Sequence, residues 1–212
     1  MRPLTRFWPF AAALAAGFAL IAATRPPALA AGDPATPAAV SAAAPELAGI
    51  GHWLNGPPRT LASLRGKVVL VDFWTYSCIN CIHTLPHVEA WYEKYRPQGL
   101  EVIGVHTPEY PFERSTKNVG EAVGRFGLTY PIAQDNDYAT WRAYGNQYWP
   151  AFYLIDRSGK IVYRQFGEGD YDRTEAEIAR LLAEPAEPAQ AAQAAQPAEP
   201  APQAARAGAI AS

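Results

Sequence analysis

Lys67 to Pro86 reads KVVLVDFWTYSCINCIHTLP, and it holds both cysteines of the 212-residue chain, Cys78 and Cys81, with only Ile79 and Asn80 between them. The first eight residues are apolar except for Lys67 and Asp72. Such a run predicts a central parallel strand covered on both faces. A helix is expected to start near Cys78 and run through CIHTLPHVEAWYEKYRPQG, with Pro86 inside it as a kink. The two cysteines therefore fall where a buried strand hands over to a helix.

Three chemistries compete for a Cys-x-x-Cys pair. A structural staple across so short a loop would remove only about 2 kcal/mol of unfolded-state entropy, against nearly 5 for a 100-residue loop. A metal site needs two more ligands. His83 and His87 lie one helical turn apart, but they follow Cys81 down the helix, and no histidine occurs after His106. Redox catalysis fits the position better. The first sulfur at a helix start faces unpaired amides and the positive end of the dipole, which stabilises its thiolate. The second sulfur lies within reach to resolve a mixed disulfide. Cys78 is therefore expected to attack and Cys81 to resolve.

Working outward, LEVIGVHT (100–107) reads as the next buried strand, ERSTKNVGEAVGRFG (113–127) as a helix weakened by glycines, YPIAQD (130–135) as a short strand and YATWRAYG (138–145) as a short helix. PAFYLIDRSGKIVYRQFGEG (150–169) predicts a hairpin turning at Arg157-Ser158-Gly159. DRTEAEIARLLAE (172–184) predicts a last helix capped by Asp172. Upstream, GHWLN (51–55) with the Gly56-Pro57-Pro58 turn suggests a short N-terminal β-hairpin, and LASLRGK (61–67) a helical turn. The fold class is α/β, a central mixed β-sheet flanked by helices.

The chain is 49% hydrophobic and 18% charged, ordinary for a globular protein. Its start is not ordinary. Residues 1–30 combine Arg2 and Arg6, an apolar run of about 14 residues, and an Ala28-Leu29-Ala30 site, the pattern of a secretory signal peptide; spanning a bilayer takes roughly 20 residues, so an uncleaved anchor is the weaker alternative. Export to the periplasm is expected, where disulfides are permitted. With Arg2, Arg6 and Arg25 gone, 18 basic side chains fall to 15 against 20 acidic ones, and no basic cluster suggests nucleic acid. Residues 31–45 read as an Ala/Pro-rich linker and 183–212 as a disordered Ala/Pro/Gln-rich tail. One domain is expected over 46–182.

The strand, the Asp-Phe-Trp, the Cys-x-x-Cys and the helix proline together resemble the thioredoxin superfamily. TLASLRGKVVLVDFW (60–74) is similar to its exported TlpA/ResA branch. The fuller run, through VIGVHTPEYPFE (102–113), YPIAQDNDYATWRAYGNQYWPAFYLID (130–156) and FGEGDY (166–171), is most similar to the thioredoxin-like domain of DipZ-type proteins. The resemblance implies a thioredoxin fold and an exported thiol–disulfide oxidoreductase, more in keeping with a reductant, that acts on protein disulfides or dithiols without a cofactor or metal. A membrane electron donor of the CcdA or DsbD kind would rereduce it.

The resemblance also implies site residues. Asp72 matches the buried acid behind the second cysteine, with a raised pKa and a proton to exchange with Cys81. Pro150 matches the proline held in cis beside the site, and the backbone of Trp149 would pair with an extended substrate segment. Trp74, Tyr76 and Ile79 are candidates for the docking surface around the sulfurs, or for packing. His83, His106 and Glu109 read as solvated or loop-entry residues and are left out of the site. The chain departs from the family at Ser77, where an aromatic is usual, at Ile79-Asn80 in place of Gly-Pro, and at Thr84, where the TlpA/ResA helix often has Glu. Two other chemistries on this fold fit less well. A Sco-like copper protein uses a wider Cys-x-x-x-Cys and a distant downstream histidine, and an AhpC-type peroxidase uses Pro-x-x-x-Thr-x-x-Cys.

Overall fold

The computed structural model describes residues 42–185. The expected signal peptide, most of the linker and nearly all of the tail lie outside the described residues. Within them, strand β3 (Val68–Trp74) is buried at every position, which is what a nearly continuous apolar run requires. It pairs in parallel with β4 (Leu100–His106) and antiparallel with β6 (Ala151–Ile155). Strand β5 (Ile132–Gln134) extends the parallel side, and β7 (Lys160–Phe166) pairs antiparallel with β6. With β1 (Ala42–Ala43) and β2 (His52–Leu54), the sheet has seven strands among the described residues, in the order β1-β7-β6-β3-β4-β5-β2, a thioredoxin-like mixed sheet with β3 at its centre.

The period-2 alternation of β3 divides the core. Val68, Leu70 and Trp74 face helices α1 (Ile79–Tyr95), α2 (Thr116–Phe126) and α4 (Tyr171–Ala183), whose Leu85, Val88, Val119, Val123, Ile178 and Leu181 pack with them. Val69, Val71 and Phe73 face the other way, toward Leu61, Leu64, Tyr144, Tyr153 and Trp141 of the short helix α3 (Ala139–Ala143). Asp72 is the exception on the first face: a carboxyl group in an apolar layer with no accessible surface.

The N-terminal segment corrects one expectation. β1 (Ala42–Ala43) and β2 (His52–Leu54) do not form a hairpin; they pair antiparallel with β7 and β5, on opposite edges of the sheet. After β2, Pro57 and Pro58 have no N–H to donate to a returning strand. Asn55 instead takes a left-handed φ of 59° and donates its side-chain amide to the carbonyls of Leu128 and Tyr130, which fastens β2 to the β5 side. Two helix starts also differ. α2 begins at Thr116, capped by Ser115, after a separate 3-10 turn at Pro111–Arg114. α4 is preceded by Asp170 and has no side-chain cap; Asp172 sits inside its first turn, where a negative charge favours the dipole.

Gly104 stands opposite Asp72 in the β3–β4 ladder. A Cβ there would lie 2.6 Å from Ile132 Cδ1, 2.9 Å from Tyr130 Cε2 and 3.0 Å from Trp74 Nε1. Three neighbours, two of them large rings, would have to move at once. Gly104→Ala is expected to cost about 1–3 kcal/mol by overpacking, read as a lower denaturant midpoint. An unchanged midpoint would show that these rings yield freely.

Candidate active site

β3 ends at Trp74, the loop Thr75–Ser77 follows, and Cys78 is the N-cap of α1. Its extended backbone (φ −74°, ψ 115°) turns Sγ back over the first turn, where it accepts from the Cys81 amide at 3.4 Å. Both thiols are free. Their surroundings differ sharply. Cys78 is half-buried, and a hydrogen bond with the Cys81 thiol, helped by the amides of Cys81 and Asn80, pulls its pKa down to about 6 against partial burial and the charge of Glu109. Cys81 has no accessible surface; burial first, then the hydrogen bond with Cys78 and the charges of Cys78 and Asp72, pushes its pKa far up. One turn of helix therefore holds an acidic outer thiol and a strongly protonated inner one.

Behind Cys81, burial raises the Asp72 carboxyl to about 8. Both its oxygens lack a protein hydrogen-bond partner, as do the nearby Tyr130 hydroxyl and Trp74 Nε1. Burial and the charges of Asp72, Glu89 and Cys81 raise the Tyr130 phenol well above its usual value. A carboxyl group near neutrality beside a buried thiol can take and return one proton.

The other expected residues divide. Trp149 precedes a cis peptide bond to Pro150. Because Phe73 pairs with Ala151, Pro150 falls level with the end of β3, beside the loop that carries Cys78. The Trp149 indole donates to the Thr107 carbonyl at 3.0 Å and packs at a tilt against Trp141, and it is partly buried. Ile79 is 61% exposed next to Cys78. Trp74 is a correction: it has no accessible surface and packs edge-on against His106, so it cannot touch a docked partner. As the last residue of β3 it reads either as rim or as core; the structure places it in the core cluster of the helix α1 face, with the His106 ring against it. Tyr76 stacks on His106 and donates its hydroxyl to the Phe112 carbonyl.

The two helix histidines are turned to other tasks, His83 toward Glu168 at 3.1 Å and His87 stacked on Tyr171. Among the described residues no three His, Cys, Asp or Glu side chains gather as metal ligands. No helix among them is long and apolar enough to cross a membrane. Sequence reasoning missed Tyr130, Glu113 and the aromatic rim. Of the chain's large apolar side chains, Ile79, Tyr110, Phe112, Tyr148 and Phe166 are the exposed ones among the described residues. Tyr110 and Phe112 stack on each other beside Tyr76; Tyr148 and Phe166 meet beside Trp149, where Phe166 faces Ala151.

Comparison with known proteins agrees with this arrangement. The Redoxin family model matches residues 30–182. Protein DipZ of Mycobacterium bovis is 57% identical over 142 residues, 66% of this chain and 20% of DipZ, so the chain spans about a fifth of that relative's length. The thiol-disulfide oxidoreductase YkuV of Bacillus subtilis is 34% identical over 140 residues, 66% of this chain and 94% of YkuV. Among solved structures, a thioredoxin-like protein in its oxidised form is 31% identical with a TM-score of 0.61, over 68% of this chain and 97% of that one.

Proposed function

The chain belongs to the Redoxin family of the thioredoxin superfamily, on its TlpA/ResA-like and DipZ-like branch, and on that premise we propose that it is an exported thiol–disulfide oxidoreductase acting on polypeptide disulfides through Cys78 and Cys81. The Cys78 thiolate attacks one sulfur of a substrate disulfide, forming a mixed disulfide and releasing the first substrate thiolate. Cys81 then gives its proton to the Asp72 carboxylate and attacks Cys78 Sγ. The Cys78–Cys81 bond forms, the second substrate thiolate leaves, and two electrons have passed from protein to substrate. Run backward, the same steps oxidise a dithiol.

The observation that carries this reading is the Cys78 sulfur at the N-cap, acidic and half-exposed, one turn from a buried partner. The exposed aromatic pairs beside Tyr76 and Trp149, with exposed Ile79 next to Cys78, support a polypeptide as substrate, since isolated small thiols need no such apolar surface. The backbone of Trp149, ahead of Pro150, is the proposed edge for an extended substrate segment. A thiol at about 6 lies nearer to thioredoxin's, about 7, than to DsbA's, about 3.5, which supports a reductant. A membrane donor of the CcdA or DsbD kind is the proposed source of electrons. Export rests on the signal-like residues 1–30, with the domain held between a linker over 31–45 and a tail over 183–212.

The test is a set of three measurements on the protein. Alkylation of Cys78 against pH should show a midpoint near 6, and insulin disulfides should be reduced with catalytic turnover. Equilibration with glutathione should place the couple nearer to about −270 mV than to about −120 mV. An ordinary thiol near 9 that leaves insulin intact would defeat the proposal; a potential at the oxidising end would reverse its direction only.

A further inference from the structure

Glu113 is a carboxylate with no accessible surface, carried by the 3-10 turn Pro111–Arg114 far along the chain from the cysteines. A buried charge persists only where it is paired or fully hydrogen-bonded. Among the described residues no salt bridge engages Glu113. Four donors satisfy it instead. Oε1 accepts from the Ser77 hydroxyl at 2.5 Å and the Ser77 amide at 3.4 Å; Oε2 accepts from the amides of Glu109 at 2.6 Å and Tyr110 at 2.9 Å. Burial opposes its ionisation, but the Ser77 hydroxyl and the amides of Tyr110 and Glu109, with the nearby Thr75 hydroxyl adding to these bonds, outweigh burial and hold its pKa below the usual range.

Two of the four donors belong to the residue immediately before the nucleophile. A second tie runs in parallel, from the Tyr76 hydroxyl to the Phe112 carbonyl at 3.1 Å. The loop that delivers Cys78 to the helix is thus fastened to a turn on another element, and the fastening fixes both the hydroxyl and the backbone of Ser77. The next backbone unit is the one whose φ and ψ aim Cys78 Sγ at the Cys81 amide. We propose that Glu113 is a positioning residue for disulfide exchange: by holding Ser77 it sets the N-cap geometry in which the Cys78 sulfur reacts. This rests on the exchange reading above and assigns Glu113 no contact with substrate.

A rival role has the opposite sign. If Glu113 acted only as a nearby negative charge, neutralising it would ease ionisation of Cys78 and lower its pKa. If it acts through geometry, releasing Ser77 loosens the cap, the thiolate loses donors and its pKa rises. The groups facing Cys78 are Cys81 from α1 and Glu109 from the segment before the turn, with Asp72 behind Cys81; none of the three is substituted in the variants, and the Ser77 variants leave the Glu109 amide bonded to Glu113.

The experiment measures alkylation of Cys78 against pH in the reduced full-length chain, for wild type, Glu113→Gln, Ser77→Ala and Ser77→Thr, with a thermal melt for each. Gln offers one acceptor oxygen where four donors converge. The expected midpoints for Glu113→Gln and Ser77→Ala lie about one pH unit above wild type, a tenfold loss of thiol acidity. Ser77→Thr keeps the hydroxyl and should stay at the wild-type value. The double variant should shift no further than the larger single one, because both cut the same tie. A midpoint that falls in Glu113→Gln, or one unmoved in Ser77→Ala, overturns the positioning role. If Glu113→Gln does not fold, the two Ser77 variants decide alone. A wild-type midpoint near 9 overturns the exchange reading itself, whereas a wild type near 6 with unmoved variants overturns only this proposal.

Discussion

Cys81→Ala is expected to convert a transient mixed disulfide into the end product. The backbone N–H that Cys78 Sγ accepts from Cys81 at 3.4 Å survives the substitution, so the nucleophile keeps a donor. What it loses is the Cys81 thiol, the largest influence holding its pKa near 6, so the Cys78 thiol should become less acidic while still reacting at mildly alkaline pH. First attack on a substrate disulfide then proceeds and the first substrate thiolate leaves. Nothing follows, because no second sulfur stands one turn along the helix to displace the other. Multiple-turnover reduction should fall by about a thousandfold or more, as when one member of a tightly coupled catalytic set is removed. A covalent adduct of one chain and one substrate should accumulate on non-reducing gels and dissolve with dithiothreitol. Cys78→Ala should give neither turnover nor adduct. Continued turnover by Cys81→Ala would mean that Cys78 exchanges alone, with any resolving thiol supplied from solution.

The contrast between the two thiols was legible in the sequence because it follows from local rules. A run such as VVLVDFW must be covered on both faces, a helix must begin after it, and a Cys-x-x-Cys at that junction puts one sulfur on the cap and the other a turn inward. The central strands, the Arg157–Gly159 turn and α1 follow the same logic. What was not legible depends on contacts between segments far apart. Glu113 reads locally as the first polar residue of a helix; its burial is decided by Ser77, which arrives from another element. Tyr130 reads as the entry to a short strand, and only the absent side chain at Gly104 lets its ring reach the Asp72 layer. Trp74 and Trp149 both flank the site in sequence, yet one is fully buried with His106 packed edge-on against it while the other stays partly exposed. β2 has the pattern of any edge strand, and no local rule names β5 as its partner.

The second large effect comes from Asp72, and its sign can be worked out in full. Burial raises this carboxyl from 3.8 to about 8, so across that window the folded chain keeps a proton that the unfolded chain releases. Stability from this group is therefore complete below about pH 4 and drains away as pH rises toward 8, at up to about 1.4 kcal/mol for each pH unit. Asp72→Asn removes the titration and keeps the shape, leaving an amide among the otherwise unpartnered Tyr130 hydroxyl and Trp74 indole. Denaturant unfolding of the reduced protein should show the variant gaining on wild type steadily from pH 4 to pH 8, a difference of several kcal/mol at the alkaline end on the order implied by that slope. The same substitution should slow resolution by about a hundredfold, the lower range for loss of a positioned proton acceptor, and so lengthen the life of the mixed disulfide. Stability and rate would then move in opposite directions, as expected of a carboxyl kept in an apolar layer for its chemistry. A stability difference that stays flat with pH would show Asp72 ionising at its ordinary value in the fold, and Cys81 would need another proton acceptor.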